Sequence, residues 1–189
     1  MTKKSLKILA FGDVVGRTGR EALSSTVAKL RAKHNADLVI ANGENSAGGA
    51  GIDEKCAVEI HNAGVDVITL GDHTWNKKEI HAYLDKKENF CIRPGNYPEG
   101  ASGNGYTIIN RAGIKIGVMN VMGRLFIQHF LDCPFRTADK LLAGPLAEAD
   151  IVICDMHAEA TSEKLALGNY LDGRISLMFG THTLSLIHI

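Results

Sequence analysis

Acidic, amide and imidazole side chains follow five short apolar runs in this 189-residue sequence, where each run gives way to a polar loop. A single residue of this kind more often caps a turn or packs at a strand end than binds a ligand. Several acids at one place would repel each other and raise each other's pKa unless cations compensated their charge. The candidates for such a site are Asp13, Glu44, Asn45, Asp72, His73, His157 and His182.

This set of donors indicates a metal site that serves phosphate chemistry. Carboxylate, carboxamide and imidazole groups without a thiolate suit Mn, Fe or Zn, and sites with several acids often hold two ions. Two ions about 3.5–4 Å apart can clamp a phosphoryl group, stabilise the attacking and leaving oxygens, and activate water near neutral pH. Hydrolysis of a phosphate ester is the predicted use. A dinucleotide site is disfavoured, because Gly12–Gly16 lacks the GxGxxG spacing and carries an acid where pyrophosphate would lie.

An α/β fold has to bring these residues together, and the spacing of apolar residues predicts one. Short β-branched runs alternate with longer segments of helical period, and open α/β sheets bind ligands beyond the carboxyl ends of their strands. The predicted strands are Lys7–Phe11, Leu38–Ala41, Val65–Thr69, Tyr106–Asn110, Ile114–Asn120, Ile151–Met156 and Ile175–Phe179. The predicted helices are Arg20–His34, a helix from the N-cap Asp53 through Ala63, Thr137–Ala147 and Ser162–Leu171.

Turn and loop signals refine this pattern. Only three residues separate the strands predicted on either side of Gly113, which indicates a β-hairpin and hence a mixed sheet. The glycine-rich stretches Gly43–Gly51 and Gly95–Gly105 follow strands, so we interpret them as site loops rather than domain boundaries. A chain of this length with 45% apolar residues is expected to form one domain.

Composition argues against several classes of protein. Lys plus Arg and Asp plus Glu number 21 each, so no net field attracts the chain to nucleic acid or an anionic membrane. No apolar stretch is long enough to span a bilayer, and the run within Met1–Phe11 is too short for a signal peptide. The cysteines are far apart, which favours free thiols in a reducing cytoplasm: Cys56, Cys91, Cys133 and Cys154.

Six motifs resemble those of one bacterial family. They read GDVVGRTGR, NGENSAGG, GDHTWNKKEI, RPGNYPEG, DMHAEATSEKLALG and GTHT, and the resemblance that they carry extends from Lys7 to Thr183. They are similar to the YmdB-like metallophosphoesterases, a branch of the calcineurin-like superfamily with cyclic-nucleotide phosphodiesterase activity. The resemblance implies a four-layer αββα sandwich with mixed sheets and a dinuclear metal site.

The resemblance also implies a role for each candidate residue. Asp13, Glu44 and Asn45 would serve the first metal, and Glu44 would bridge to the second, around which Asp72, His157 and His182 would lie. His73 would be the general acid that protonates the leaving oxygen. The two divalent ions are expected to be Fe or Mn, with Mg and Zn left open, and to activate water for attack on 2′,3′- or 3′,5′-cyclic nucleotides.

The sequence departs from the family pattern at two places. Asp72 replaces the usual asparagine, and Leu184 stands where the GTHTH motif has its second histidine. We therefore predict that residues 1–183 form an incomplete metallophosphoesterase domain that lacks the C-terminal strands of the family. Residues 184–189 are predicted to be a non-native tail, because a transposase mosaic-end adapter can be translated to the same six residues.

Other interpretations stay open on the sequence alone. The chain could be a regulatory protein that binds a nucleotide or a partner without hydrolysis, or an inactive fragment of the enzyme. Trp75 and Tyr97 could stack on a base or could be packing anchors. Arg93, Arg124 and Arg174 could contact phosphate or form structural salt bridges. The family includes oligomers, but nothing in the sequence identifies an interface.

Overall fold

A computed structural model describes residues 5–183, so the predicted non-native tail at 184–189 lies outside the described residues. The described part contains eight strands: β1 Ile8–Asp13, β2 Leu38–Asn42, β3 Val67–Thr69, β4 Cys91–Ile92, β5 Tyr106–Arg111, β6 Ile114–Met122, β7 Ile151–Ala158 and β8 Leu177–His182. It contains five helices: α1 Gly16–His34, α2 Glu54–Asn62, α3 Ile80–Leu84, α4 Pro134–Ala143 and α5 Thr161–Leu171.

The strands form two sheets of four. The first sheet has the order β1-β2-β3-β4, and all its neighbouring strands are parallel. The second sheet has the order β5-β6-β7-β8; β5 and β6 form the predicted antiparallel hairpin, whereas the other pairs are parallel. The mixed pairing is therefore confined to the second sheet.

Three apolar clusters define four layers. The sheets face each other through alternate residues, such as Leu38 and Ile40 of β2 opposite Val118 of β6. The intervening residues of β2 point to the other side, where α1, α2 and α3 cover the first sheet. Helices α4 and α5 cover the outer face of the second sheet. The predicted αββα sandwich is confirmed.

Several boundaries differ from the prediction for local reasons. Helix α1 begins at Gly16, four residues before the predicted Arg20. The prediction missed this first turn because it is glycine-rich and has no apolar residues at helical spacing. Helix α4 begins at Pro134, a residue whose fixed φ suits the first turn of a helix, and ends at Ala143. Strand β4 and helix α3 were not predicted, since two and five residues are too few to show a period. In the described chain, no helix has the length and apolarity needed to cross a membrane.

The parallel strands place the candidate residues at one edge of the sandwich. Asp13 at the end of β1 is paired with Asn42 at the end of β2. At the ends of β7 and β8, His157 is paired with Thr181, and Ala158 with His182. Both sheets therefore end in polar side chains on the same side of the molecule.

Candidate metal centre

Four of the predicted ligands converge at this edge. The ligand atoms of Glu44, Asp72, His157 and His182 all lie within 4.8 Å of one another. His157 Nε2 lies 3.0 Å from Asp72 Oδ1 and 3.3 Å from Glu44 Oε1, while His182 Nδ1 lies 3.3 Å from Asp72 Oδ1. These are the four residues that the family resemblance assigned to the second metal.

Short loops after β2 and β3 hold the two acids in place. The Glu44 backbone N–H donates to Asn42 Oδ1 at 3.2 Å, and Gly43 N–H donates to the Thr69 carbonyl at 2.9 Å. The next turn is fixed at the Gly71 carbonyl, which accepts from Thr74 Oγ1 at 2.6 Å and from the Tyr97 hydroxyl at 3.2 Å. These hydrogen bonds fix the backbone from which the two carboxylates project.

Gly71 leaves the space in which the ligands meet. A Cβ on Gly71 would overlap both His157 Nε2 and Glu44 Oε2. We therefore expect Gly71→Ala to displace these atoms and to lower the affinity for Mn²⁺ at least about tenfold in a calorimetric titration. Gly12→Ala is the matched control, because a Cβ on Gly12 meets nothing within 4 Å. Equal affinities of the two variants would contradict this role for Gly71.

Asp13 and Asn45 lie beside the four-residue cluster and are joined to it by hydrogen bonds. Asn45 Nδ2 donates to Asp13 Oδ2 at 3.3 Å and to Glu44 Oε1 at 3.2 Å. Asp13 Oδ1 accepts from the His182 backbone N–H at 3.0 Å. The Asn45 amide thus turns its nitrogen to the carboxylates and its oxygen to His73. The Asn45 amide would therefore have to rotate by half a turn before its Oδ1 could bind a metal ion.

His73 lies on the more open side of the cluster. Its backbone N–H donates to Glu44 Oε2 at 3.0 Å, and its ring Nδ1 lies 2.6 Å from Asn45 Oδ1. Its Nε2 lies 3.7 Å from Asp72 Oδ2, and the side chain is 37% exposed. One ring nitrogen is therefore held by the loop after β2, while the other can reach a bound molecule.

The charges of the cluster are strongly coupled. Burial alone would raise the pKa of Asp72, but hydrogen bonds from His157 and His182 outweigh it and hold that pKa well below its ordinary range. Burial alone would lower the pKa of His157, but its bonds to Asp72 and Glu44 raise it to about 10. The imidazolium form of His157 balances the charge of these acids, and a divalent cation held by Nε2 would take the place of its proton.

Sequence reasoning missed the residues that orient the two histidines. His182 Nε2 lies 2.9 Å from Glu159 Oε2, which leaves Nδ1 directed at Asp72. His157 Nδ1 lies 2.8 Å from Thr181 Oγ1, which donates to the buried Asp155 at 2.8 Å. Asp155 lies two residues before His157 in β7, and Glu159 directly follows the strand, but their partners on β8 come from strand pairing rather than from a local pattern.

The backbone at His182 is strained. Its φ is 79°, in the left-handed region that residues with a side chain seldom adopt. Such strain costs on the order of 1–3 kcal/mol and is concentrated at functional positions, where the surroundings hold the residue in place. Here the surroundings are Asp13, which accepts from the His182 N–H, and Glu159, which holds the ring.

The other candidates from the sequence have structural partners. Trp75 stacks on His81 and meets the edge of Tyr97, which is buried, so these rings pack against each other. Arg174 pairs with Asp139 at 2.7 Å on the surface. Arg93 is buried, and its guanidinium donates to the carbonyls of Pro94, Ala101, Ser102 and Gly103. The predicted site loop Gly95–Gly105 is thus fixed by an arginine that does not face the cluster.

Arg93→Met tests this structural role. The four carbonyls lose their common donor, so we expect the free energy of unfolding to fall by about 2–4 kcal/mol in a urea titration. Metal content should stay at the wild-type level, because the hydrogen bonds of Arg93 all go to its own loop rather than to the cluster. Arg174→Met is the control for removal of a surface arginine and should change stability little. Wild-type stability with weakened phosphate binding would instead support Arg93 as a substrate contact.

Comparison with known proteins agrees with the motifs. A family model described as YmdB-like protein matches residues 9–185. The 2′,3′-cyclic-nucleotide 2′-phosphodiesterase of Bacillus subtilis (strain 168) is 46% identical over 178 residues, which are 94% of this chain and 67% of the relative. The resemblance inferred from the motifs is confirmed.

Solved structures show the same fold. The crystal structure of a novel phosphatase from Mycoplasma pneumoniae has a TM-score of 0.87 and 35% identity, and the match covers 97% of this chain and 66% of the phosphatase. A hypothetical protein from Thermus thermophilus has a TM-score of 0.86 and 43% identity over 94% of this chain and 69% of its own. The chain spans about two thirds of the length of these relatives.

Proposed function

We propose that this chain, which belongs to the YmdB-like protein family, carries the catalytic centre of a metal-dependent phosphodiesterase. The observation that carries the proposal is the convergence of Glu44, Asp72, His157 and His182, whose ligand atoms lie within 4.8 Å of one another. The donor set of oxygen and imidazole nitrogen, without thiolate, suits Mn, Fe or Zn. The Bacillus subtilis relative, named a 2′,3′-cyclic-nucleotide 2′-phosphodiesterase, supports the reaction class.

The residues present fit two divalent ions, with Fe or Mn favoured and Mg and Zn as alternatives. Glu44, Asp72, His157 and His182 would hold one ion, and Asp13, Asn45 and the shared Glu44 would hold the other. Gly71 keeps the space between the ligands free of side-chain atoms. When bound, such ions stabilise charge on phosphoryl oxygens and lower the pKa of water.

His73 is proposed to protonate the leaving oxygen. Its Nδ1 faces the Asn45 amide, so Nε2 is the ring nitrogen that is free to give its proton to a bound molecule. The carboxylate oxygen Asp72 Oδ2 lies 3.7 Å from this nitrogen, and the ring is partly exposed at the edge of the cluster. A positioned acid of this kind contributes typically about 10²–10⁴-fold to the rate.

We propose 2′,3′-cyclic nucleotides as the preferred substrates, with 3′,5′-cyclic nucleotides as the second candidate. The name of the Bacillus subtilis relative supports the first choice. The chain has no net charge to attract polynucleotides, which fits a small substrate held by local contacts. The cysteines of the described chain are free, and three of them are buried, in keeping with the proposed location in a reducing cytoplasm.

The test combines metal content with turnover. Metal per chain is measured by mass spectrometry, and hydrolysis of bis-p-nitrophenyl phosphate with added Mn²⁺ is followed before the two classes of cyclic nucleotide are compared. About two ions per chain together with turnover, faster on 2′,3′-cyclic AMP, is the expected result. Binding of a cyclic nucleotide without turnover would replace the proposal with a regulatory binding role. If the chain held no metal and showed no turnover, the proposal of a working centre in this chain would be refuted.

A further inference from the structure

A chain of buried hydrogen bonds lies behind His157, on the side away from the ligand cluster. His157 Nδ1 lies 2.8 Å from Thr181 Oγ1, and Thr181 Oγ1 lies 2.8 Å from Asp155 Oδ1. The other oxygen of Asp155 accepts from Thr69 Oγ1 on the facing sheet. All four side chains are buried. The chain connects the ends of β3, β7 and β8 at the point where the ligands emerge.

The direction of these bonds follows from what each group can donate. A carboxylate has no proton, so Asp155 accepts from both threonine hydroxyls. Thr181 has one hydroxyl proton, and because this proton points to Asp155, a lone pair of Oγ1 faces His157. His157 Nδ1 must then carry a proton and donate it to Thr181.

Asn42 is the one neighbour among the described residues that favours the opposite direction. Its Nδ2 lies 3.3 Å from His157 Nδ1 and 3.4 Å from Thr181 Oγ1. Its amide orientation is fixed, because Oδ1 accepts from the Glu44 N–H. The contact of His157 with Thr181 is the shorter one, at 2.8 Å against 3.3 Å. The threonine therefore determines the proton position, and Asn42 donates to the remaining lone pair of Thr181.

We infer that Asp155 and Thr181 are positioning residues that keep a proton on His157 Nδ1 and thereby direct the Nε2 lone pair at a divalent cation. The inference rests on the proposed function in one respect, namely that the cluster takes such a cation. It extends that proposal because neither residue touches the ions or the substrate. Partners of this kind typically change metal affinity by about 10–100-fold.

Substitutions of nearly equal shape separate this role from packing. Thr181→Val removes the hydroxyl, and Asp155→Leu removes the acceptor of the Thr181 proton, which then turns toward His157 Nδ1 and leaves the ring proton on Nε2. Thr181→Ser keeps the hydroxyl. Thr69→Val removes the other partner of Asp155 without touching His157 and is the control for a lost buried hydrogen bond.

The experiment measures Mn²⁺ affinity by calorimetry and the proton position by ¹⁵N-edited NMR of the histidine rings. We expect Thr181→Val and Asp155→Leu to bind Mn²⁺ about 10–100-fold more weakly, whereas Thr181→Ser and Thr69→Val stay within a few-fold of wild type. The Zn²⁺-loaded wild type should show a proton on His157 Nδ1. Thermal unfolding establishes that each variant is folded.

Two results would overturn the inference: wild-type Mn²⁺ affinity in folded Thr181→Val, or a His157 ring without a proton on Nδ1 in the wild type. Neither readout involves turnover, so a chain that binds metal but hydrolyses nothing would refute the proposed activity and leave the positioning role supported. A wild type that binds no metal would refute the metal centre and, with it, this inference. The NMR readout needs no substitution, so a variant that fails to fold does not prevent the test.

Discussion

Glu44→Gln is expected to lose bound metal and, with it, hydrolysis of phosphodiesters. The Glu44 carboxylate is fully buried and faces both halves of the proposed centre. Oε1 lies 3.3 Å from His157 Nε2 and 3.2 Å from Asn45 Nδ2, and Oε2 accepts from the His73 N–H at 3.0 Å. Glutamine keeps the shape but replaces a charged oxygen with an amide N–H₂ group, which cannot bind a cation. The loss of affinity should exceed the roughly 100-fold cost of losing a residue that only orients a ligand.

Stability gives an independent readout of the same substitution. A ligand at 100 times its Kd adds about 2.7 kcal/mol to the free energy of unfolding. Addition of Mn²⁺ should therefore raise the melting temperature of the wild type and leave that of Glu44→Gln unchanged. Glu21→Gln serves as the control, because Glu21 is an exposed acid of α1 that pairs with Arg17. Wild-type metal content in Glu44→Gln would show that Glu44 is not a ligand.

The sequence predicted the fold well where a period could develop. Strands such as β6 and β7 and the helices α1 and α2 carry enough residues for alternation or helical spacing to appear. Strand β4 consists of two residues, and its pairing with Ile68 and Thr69 is a tertiary effect that no local pattern contains. The four clustered ligand candidates were found because parallel strands end at one edge.

The orienting residues were beyond sequence reasoning for a different reason. Thr69 reaches Asp155 across the interface between the sheets, 86 positions away in the chain. Thr181 reaches His157 only through the register of β7 with β8, and Glu159, just beyond the end of β7, reaches His182 because the same pairing brings β8 alongside. Hydrogen-bond partners of this kind depend on register and layer spacing, and residue type alone does not reveal them. The orientation of the Asn45 amide could not be predicted from the sequence either, because it depends on which partners the oxygen and the nitrogen contact in the fold.

Asp72 shows how one departure from the family pattern affects both parts of the site. Its Oδ1 lies near His157 and His182, whereas its Oδ2 lies 3.7 Å from His73 Nε2. The added negative charge favours cation binding at this carboxylate. More negative charge on the ligands also tempers the Lewis acidity of a bound ion, so Asp72 is expected to alter the balance between binding and reactivity.

His73→Ala is expected to lower turnover of 2′,3′-cyclic nucleotides by about 10²–10⁴-fold while metal content stays unchanged. The contact of His73 with Glu44 uses the backbone N–H, which alanine retains, so the ligand cluster keeps its shape. The ring is partly exposed and contributes little to the core. The measurement is the ratio of turnover to metal content for wild type and variant at saturating Mn²⁺.

The leaving group separates acid catalysis from a structural effect of the same substitution. A ribose alkoxide needs a proton as the P–O bond breaks, whereas p-nitrophenolate is stable without one. His73→Ala should therefore impair hydrolysis of the cyclic nucleotide far more than hydrolysis of bis-p-nitrophenyl phosphate. His34→Ala, at an exposed position at the end of α1, should affect neither. An equal loss on both substrates would mean that His73 shapes the site, and no loss on either would remove it from the mechanism.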